Sequence, residues 1–187
     1  MINFKETLEK IESSNEFKEF KKENKNAFLT AGFFVMDNEA NLEIKQLDYA
    51  TGTGETKELV TFILGDSIQT KREETIRKEK FHRLEIPKVE FEEALKIMQK
   101  ETEQIAKTYA KVIAILQVMD KDGKMTEIWN LTGLAGFSMF RLHVDAMTGK
   151  IFKEENENIM DMMKIEKGNK NKDKKEQESK DKANYVG

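Results

Sequence analysis

Residues 112–131 read Val-Ile-Ala-Ile-Leu-Gln-Val-Met-Asp-Lys-Asp-Gly-Lys-Met-Thr-Glu-Ile-Trp-Asn-Leu. The first eight form a nearly unbroken apolar run, rich in branched residues and too short for an ordinary helix. Asp120-Lys121-Asp122-Gly123 stops it with a hairpin turn, because Gly accepts a positive φ without steric cost and Asp tolerates one. Met125 to Leu131 runs back. A return this tight forces antiparallel pairing, since a parallel return needs a crossover of a dozen residues or more. Val112 to Met119 lacks alternation, so it is expected to be a central strand, covered on both faces or nearly so.

Downstream, Phe140, Leu142 and Val144 alternate with Met139, Arg141, His143 and Asp145, which predicts a strand with one apolar and one wet face. Gly133-Leu134-Ala135-Gly136 reads as the bend before it. Ala146-Met147-Thr148-Gly149 turns the chain into a last strand, Lys150 to Lys153, and 156–164 reads as a short terminal helix. Upstream, Phe91, Ala94, Leu95, Met98, Thr102, Ile105 and Ala106 mark the apolar stripe of a helix over 90–107.

The first half repeats this plan. Phe4, Leu8 and Ile11 have helical spacing, Ser13 with Glu16 has capping-box spacing, and Phe17 and Phe20 share a face of a second short helix. Strands follow at Phe28 to Met36, at Leu42 to Tyr49 with a bulge near Gln46, at Leu59 to Leu64 and at Ser67 to Arg72. Turn clusters at 37–41 and 51–54 separate the first three. The fold class is therefore α+β, with helices packed on antiparallel sheet, in one or two such units. The expected organisation is a helix-plus-strands unit over 1–72, a charged connector over 73–88, a helix-plus-four-strand unit over 89–165 and a disordered charged tail over 166–187. Whether the two units lie side by side or share one sheet is open at this level.

Composition narrows the function classes. The chain of 187 residues has no cysteine, so disulfides, thiolate metal sites and cysteine nucleophiles are excluded. Net charge is −3 with 36% charged residues, which gives no global pull toward nucleic acid or anionic lipid. The charged start, Met1-Ile2-Asn3-Phe4-Lys5-Glu6, does not resemble a signal peptide, and no apolar stretch approaches the roughly 20 residues of a membrane helix. The expected location is cytoplasmic, with no membrane partner.

Candidate chemistry is sparse. The two histidines, His82 and His143, are far apart; His143 and Asp145 share a strand face, but two ligands do not make a metal site. Ser138 lies in a strand and outside any nucleophile elbow. Glu12, Glu58 and Glu127 are acids without a distinguishing context. Thr51-Gly52-Thr53-Gly54-Glu55-Thr56-Lys57 lacks phosphate-loop spacing and reads as a hairpin loop. Lys71 to Lys88 holds Arg72, Arg77, Lys78, Lys80 and Arg83 around Phe81 and His82, but Glu73, Glu74, Glu79 and Glu85 dilute the positive density that phosphate binding needs. Trp129, Phe33, Phe34 and Phe62 suit a core or the lining of an apolar pocket. No catalytic, cofactor-binding or metal-binding residue is nominated.

Glu92-Glu93-Ala94-Leu95 at a helix start and Val144-Asp145-Ala146-Met147-Thr148-Gly149-Lys150-Ile151 in the last hairpin carry one family likeness. Over about residues 89–154 the chain resembles the PepSY-like domain family; as a whole it looks like small archaeal proteins of similar layout, a likeness that implies no activity. The PepSY resemblance implies a cystatin-like shape and a non-catalytic role, often peptidase inhibition or regulation. Read from its residues alone, the hairpin is a fold signature: Asp145 accepts from turn amides, Gly149 supplies a positive φ, and Val144 and Ile151 point into the core. The expected function is a non-catalytic binding or regulatory module acting on a protein partner through a sheet face or edge. One alternative is a small-molecule binder or enzyme with a pocket under a curved sheet. Another is a nucleic-acid-associated protein using residues 71–88.

Overall fold

A computed structural model describes residues 2–51, 57–75, 81–101 and 109–158. The elements are α1 (Phe4–Ser13), α2 (Asn15–Glu23), β1 (Phe28–Asp37), β2 (Leu42–Thr51), β3 (Lys57–Leu64), β4 (Ile68–Thr75), α3 (Phe91–Glu101), β5 (Lys111–Lys121), β6 (Lys124–Ala135), β7 (Ser138–Asp145) and β8 (Ile151–Asn158). The fold is α+β, and both halves contribute to one eight-stranded antiparallel sheet, β4-β3-β2-β1-β5-β6-β7-β8. β1 and β5, the first strand of each half, pair at its centre from Ala31 opposite Gln117 to Asp37 opposite Lys111.

Strand alternation sends one residue set toward the helices. Phe34, Leu47, Val60, Phe62, Val112, Ala114, Leu116, Trp129, Leu131, Phe140, Leu142 and Val144 lie there, each 3% exposed or less. In the first half, Phe17 of α2 meets Tyr49 and Phe62 at 4.9 and 5.4 Å between ring centroids, and Phe20 meets Phe62 at 5.2 Å. In the second, Phe91 of α3 meets Trp129 at 6.1 Å, and Phe34 bridges the halves by touching Phe4, Phe91 and Trp129. Such ring pairs add about 1 kcal/mol each beyond the area they bury. The Trp129 indole N–H donates to the Val89 carbonyl at 2.8 Å, so the ring is buried with its one donor satisfied.

Several local expectations are corrected. The cap of α2 is Ser14, not Ser13: Ser14 is extended, and its hydroxyl accepts from the Phe17 amide at 3.1 Å. Ser13 closes the last turn of α1 and donates to the Lys10 carbonyl. The bulge lies in β1, between Leu29 and Ala31, and not near Gln46. β2 needs none, because Ile44 and Leu47 face opposite sides of a sheet that takes apolar residues on both. β6 runs through Ala135, so Gly133 is a strand residue and the turn is confined to Gly136 and Phe137. A Cβ at Gly133 would overlap the Met98 methyl and the Tyr109 ring, so the glycine is required by packing. β4 extends to Thr75, three residues into the stretch read as connector. β8 extends to Asn158, so 156–158 are strand; 159–164 lie outside the described residues, as do 102–108, the end of the expected helix over 90–107. β5 is central as expected, but the described helices cover only one of its faces, and Ile113 and Ile115 on the other are half-buried.

Candidate functional site

Among the described residues, α1, α2 and α3 pack on the same side, so the other face of the sheet has a distinct character. The strand register places its residues in cross-strand rows. Phe33 pairs with Gln46 and Ile115, Val35 with Ile44 and Ile113, and Ala31 with Asp48 and Gln117. Asp48 continues to Thr61 and Lys71, and Leu59 stands opposite Glu73. On the other side, Ile115 leads to Asn130, His143 and Lys153, and Ile113 to Thr132, Arg141 and Glu155. The face thus has an apolar centre on β1 and β5 with mainly polar and charged flanks, interrupted by Leu59 and Ile63 on β3 and the buried Ile128 on β6.

A cavity of about 310 Å³ opens on this face, lined by Phe33, Gln46, Asp48, Leu59, Ile115 and Gln117 from the sheet and by Phe81 and His82 from the segment after β4. That segment is fixed in place. The Leu84 amide donates to the Leu29 carbonyl at 2.9 Å beside the β1 bulge, and Leu84 is 5% exposed. Arg83 stacks on the Phe28 ring at 5.1 Å. The bulge and the Leu84 anchor therefore hold Phe81 and His82 at the cavity edge. Farther on, the Lys88 and Val89 amides both donate to the Ala146 carbonyl, so the segment closes on the last hairpin.

Asp48 is the one acid of the cavity wall. Its Oδ1 accepts from Thr61 Oγ1 at 2.7 Å and from Gln46 Nε2 at 3.0 Å. Burial pushes its carboxyl above the ordinary aspartate range; those two hydrogen bonds pull the other way, and the charge of Glu73 adds to the rise. His143 behaves in the mirror sense on the opposite flank. Burial, then Lys121 and Lys153, hold its imidazole below the usual histidine value, with Arg141 adding to the fall and Glu155 opposing it. Its Nδ1 is buried without a hydrogen-bond partner among the described residues.

The candidate residues of the sequence separate accordingly. Trp129, Phe34 and Phe62 are core, whereas Phe33 faces the cavity. His82 lines the cavity and His143 lies on the far flank; no group of three His, Asp or Glu able to hold a metal occurs among the described residues. Asp145 is occupied in its own turn, accepting from the Met147 and Thr148 amides at 2.8 Å each, with Gly149 at φ 77°. Glu12 accepts from the Tyr49 hydroxyl at 3.0 Å; burial, then the Glu12 charge and this hydrogen bond, raise the tyrosine pKa, and Glu58 lies 3.8 Å from Arg72. Arg72 also lies 3.6 Å from Glu23, so this cation of the 71–88 stretch is spent on two acids. Residues 52–56 and 76–80 lie outside the described residues, and with them most of the Thr51–Lys57 loop and Arg77, Lys78 and Lys80. Asp48 was not singled out from sequence. An acid inside the apolar alternation of Leu47, Tyr49 and Ala50 was the available signal.

No helix among the described residues is long and apolar enough to cross a membrane. No family model matches the chain, and no curated protein matches it. Among solved structures, the chain is similar in fold to a crystal structure from Clostridium difficile 630 described as a "putative lipoprotein", with 14% identity, a TM-score of 0.50, and coverage of 76% of this chain and 91% of that one. A likeness at that identity extends to the fold alone.

Proposed function

We propose that this chain is a non-catalytic binding or regulatory module that holds a protein partner against the face of its sheet that α1, α2 and α3 leave uncovered. The observation that carries the reading is the composition of that face. Its centre is apolar, with half-buried Phe33, Ile113 and Ile115 around the buried Val35, and its flanks are mainly polar, interrupted by Leu59, Ile63 and the buried Ile128. Surfaces of this type, an apolar middle inside a polar rim, are those that proteins use to bind one another. The sheet edges fit less well. β4 (Ile-Gln-Thr-Lys-Arg-Glu-Glu-Thr) and β8 (Ile-Phe-Lys-Glu-Glu-Asn-Glu-Asn) are dense in charge, a composition that discourages strand addition. The PepSY-like reading of residues 89–154, with its cystatin-like shape, supports the same class of role, and peptidase regulation is its narrowest form.

The test is capture on the immobilised full chain. Proteins retained by the wild type and by Lys96→Glu, on the outer side of α3, should be lost from a Phe33→Glu/Ile115→Glu variant whose circular dichroism is unchanged. Retention that ignores the open-face substitutions would sink the reading. The cavity beside Phe33 favours a second one, a small-molecule binder. It requires a ligand that raises the melting temperature of the wild type and not of the double variant.

A further inference from the structure

We propose that the cavity around Asp48 is a socket for an arginine side chain of the partner polypeptide, with the guanidinium against the Asp48 carboxylate and its stem between Phe33 and Phe81. The inference rests on the reading of the open face as a partner surface and names what that face recognises.

The chemistry of the walls points to a cation with an apolar stem. Phe33, Leu59, Ile115 and Phe81 supply apolar surface, and Asp48 is the charged group among the lining residues. A carboxylate in such surroundings is costly unless a cation joins it. Among the described residues no cation pairs with Asp48, and the charge that acts on it is Glu73, a second acid from the neighbouring strand. An anionic ligand would face both. A neutral apolar ligand would strip water from the carboxylate and return nothing. A guanidinium offers paired donors to a carboxylate and a flat face to aromatic rings.

The carboxylate is also held ready. Thr61 and Gln46 both donate to Oδ1, which fixes the rotamer and leaves Oδ2 without a donor among the described residues. The ordering cost on this side of the contact is therefore met before the ligand arrives. The volume, about 310 Å³, is at the low end for ligand pockets and suits one long side chain more than a large cofactor.

The experiment uses the isotopically labelled full chain and the blocked tripeptide Gly-Arg-Gly as probe, with Gly-Glu-Gly as control and agmatine as a free guanidine. Gly-Arg-Gly should shift the amides of Phe33, Asp48, Thr61 and Gln117 in a saturable way. It should lower the Asp48 carboxyl titration by about one pH unit, as a new opposite charge requires. Asp48→Asn, which keeps the shape, should weaken binding about tenfold or more, the worth of one charge-assisted hydrogen bond. Equal shifts from Gly-Glu-Gly, or an Asp48→Asn chain that binds as well as wild type, would overturn the proposal. Agmatine bound about tenfold more tightly than the tripeptide would overturn the polypeptide source in favour of a free guanidine. In the free chain, Arg77→Gln with Lys80→Gln should leave the Asp48 titration unchanged; a rise would show the chain filling the socket itself and would equally overturn the proposal. A silent tripeptide with partner capture still dependent on Phe33 and Ile115 removes this inference alone, whereas capture indifferent to those two residues removes the reading beneath it.

Discussion

Phe33 and Phe34 are chain neighbours with the same side chain, and they belong to two different surfaces. Phe34 is 0% exposed and touches three rings, Phe4, Phe91 and Trp129, under the helices. Phe33 is half-buried on the opposite face and borders a cavity that holds an aspartate. One strand thus serves as core on one side and as candidate contact surface on the other. The difference shows what the helices contribute. Where they cover the sheet, side chains interlock and buried polar groups are few, Thr7 and the Tyr49 hydroxyl on Glu12 among them. Where they do not, Gln46, Asp48, Thr61, Gln117 and Asn130 surround the apolar centre.

The sharpest test of that contrast is truncation. Phe34→Ala should cost about 4 kcal/mol in urea unfolding, the usual penalty for deleting a fully buried aromatic ring. Phe33→Ala should cost about 1 kcal/mol, since its ring is already partly hydrated. Equal losses would mean that the open face is as tightly packed as the closed one, and the partner-surface reading would lose its basis.

Next in size are two glycines three residues apart. Gly133→Ala drives a methyl into Met98 and Tyr109 on the closed side and should cost about 3 kcal/mol. Gly136→Ala meets no atom, but its φ is +57°, so the loss should be about 1 kcal/mol and arise from the backbone alone. Melting curves of the two variants rank them. A ranking reversed would place the rigid packing at the turn and not under α3.

These contrasts explain what could be read from the chain alone. The closed face was legible because burial imposes period: Phe140, Leu142 and Val144 alternate, and Phe91, Ala94 and Met98 recur at helical spacing. The last hairpin was legible because its geometry is set by Asp145 and Gly149 within a few residues. Asp145→Ala should accordingly cost about 1.5 kcal/mol, the worth of its two amide contacts after solvation. The outer part of β8 was missed because an edge strand such as Glu154 to Asn158 owes its existence to pairing with β7 and carries no apolar period. Gly133 was misread because a glycine required by packing and one required by a turn look the same in sequence. The single sheet was left open because nothing local to β1 or β5 says that they pair. Of the four aromatics offered as a pocket lining only Phe33 lines the cavity, whose place was not legible because it joins β1, β2, β3 and β5 to Phe81 and His82 across long separations.

The smallest effect separates the two flanks of the open face by the sign of their titrations. Asp48 has a folded pKa above its unfolded one, so between those values the folded chain binds more protons, and its contribution to stability falls as pH rises through that window. His143 has a folded pKa below its unfolded one, so its contribution is intact above about pH 6.5 and falls as pH drops from there toward the folded value. The acids lowered by cations, among them Glu6 beside Lys10 and Asp37 beside Lys111, also lose stability on acidification, at lower pH, so raw curves mix all of these. Differences from the wild type isolate each one. Asp48→Asn should gain stability relative to wild type as pH rises from 4 to 7, and His143→Gln should gain as pH falls from 7 to 5. Each difference should be about 0.5 kcal/mol or less, because both groups keep partial contact with water. Two differences of the same sign would mean that one flank is solvated like an ordinary surface. Asp48 would then be a plain exposed acid, with no unmet demand for a cation.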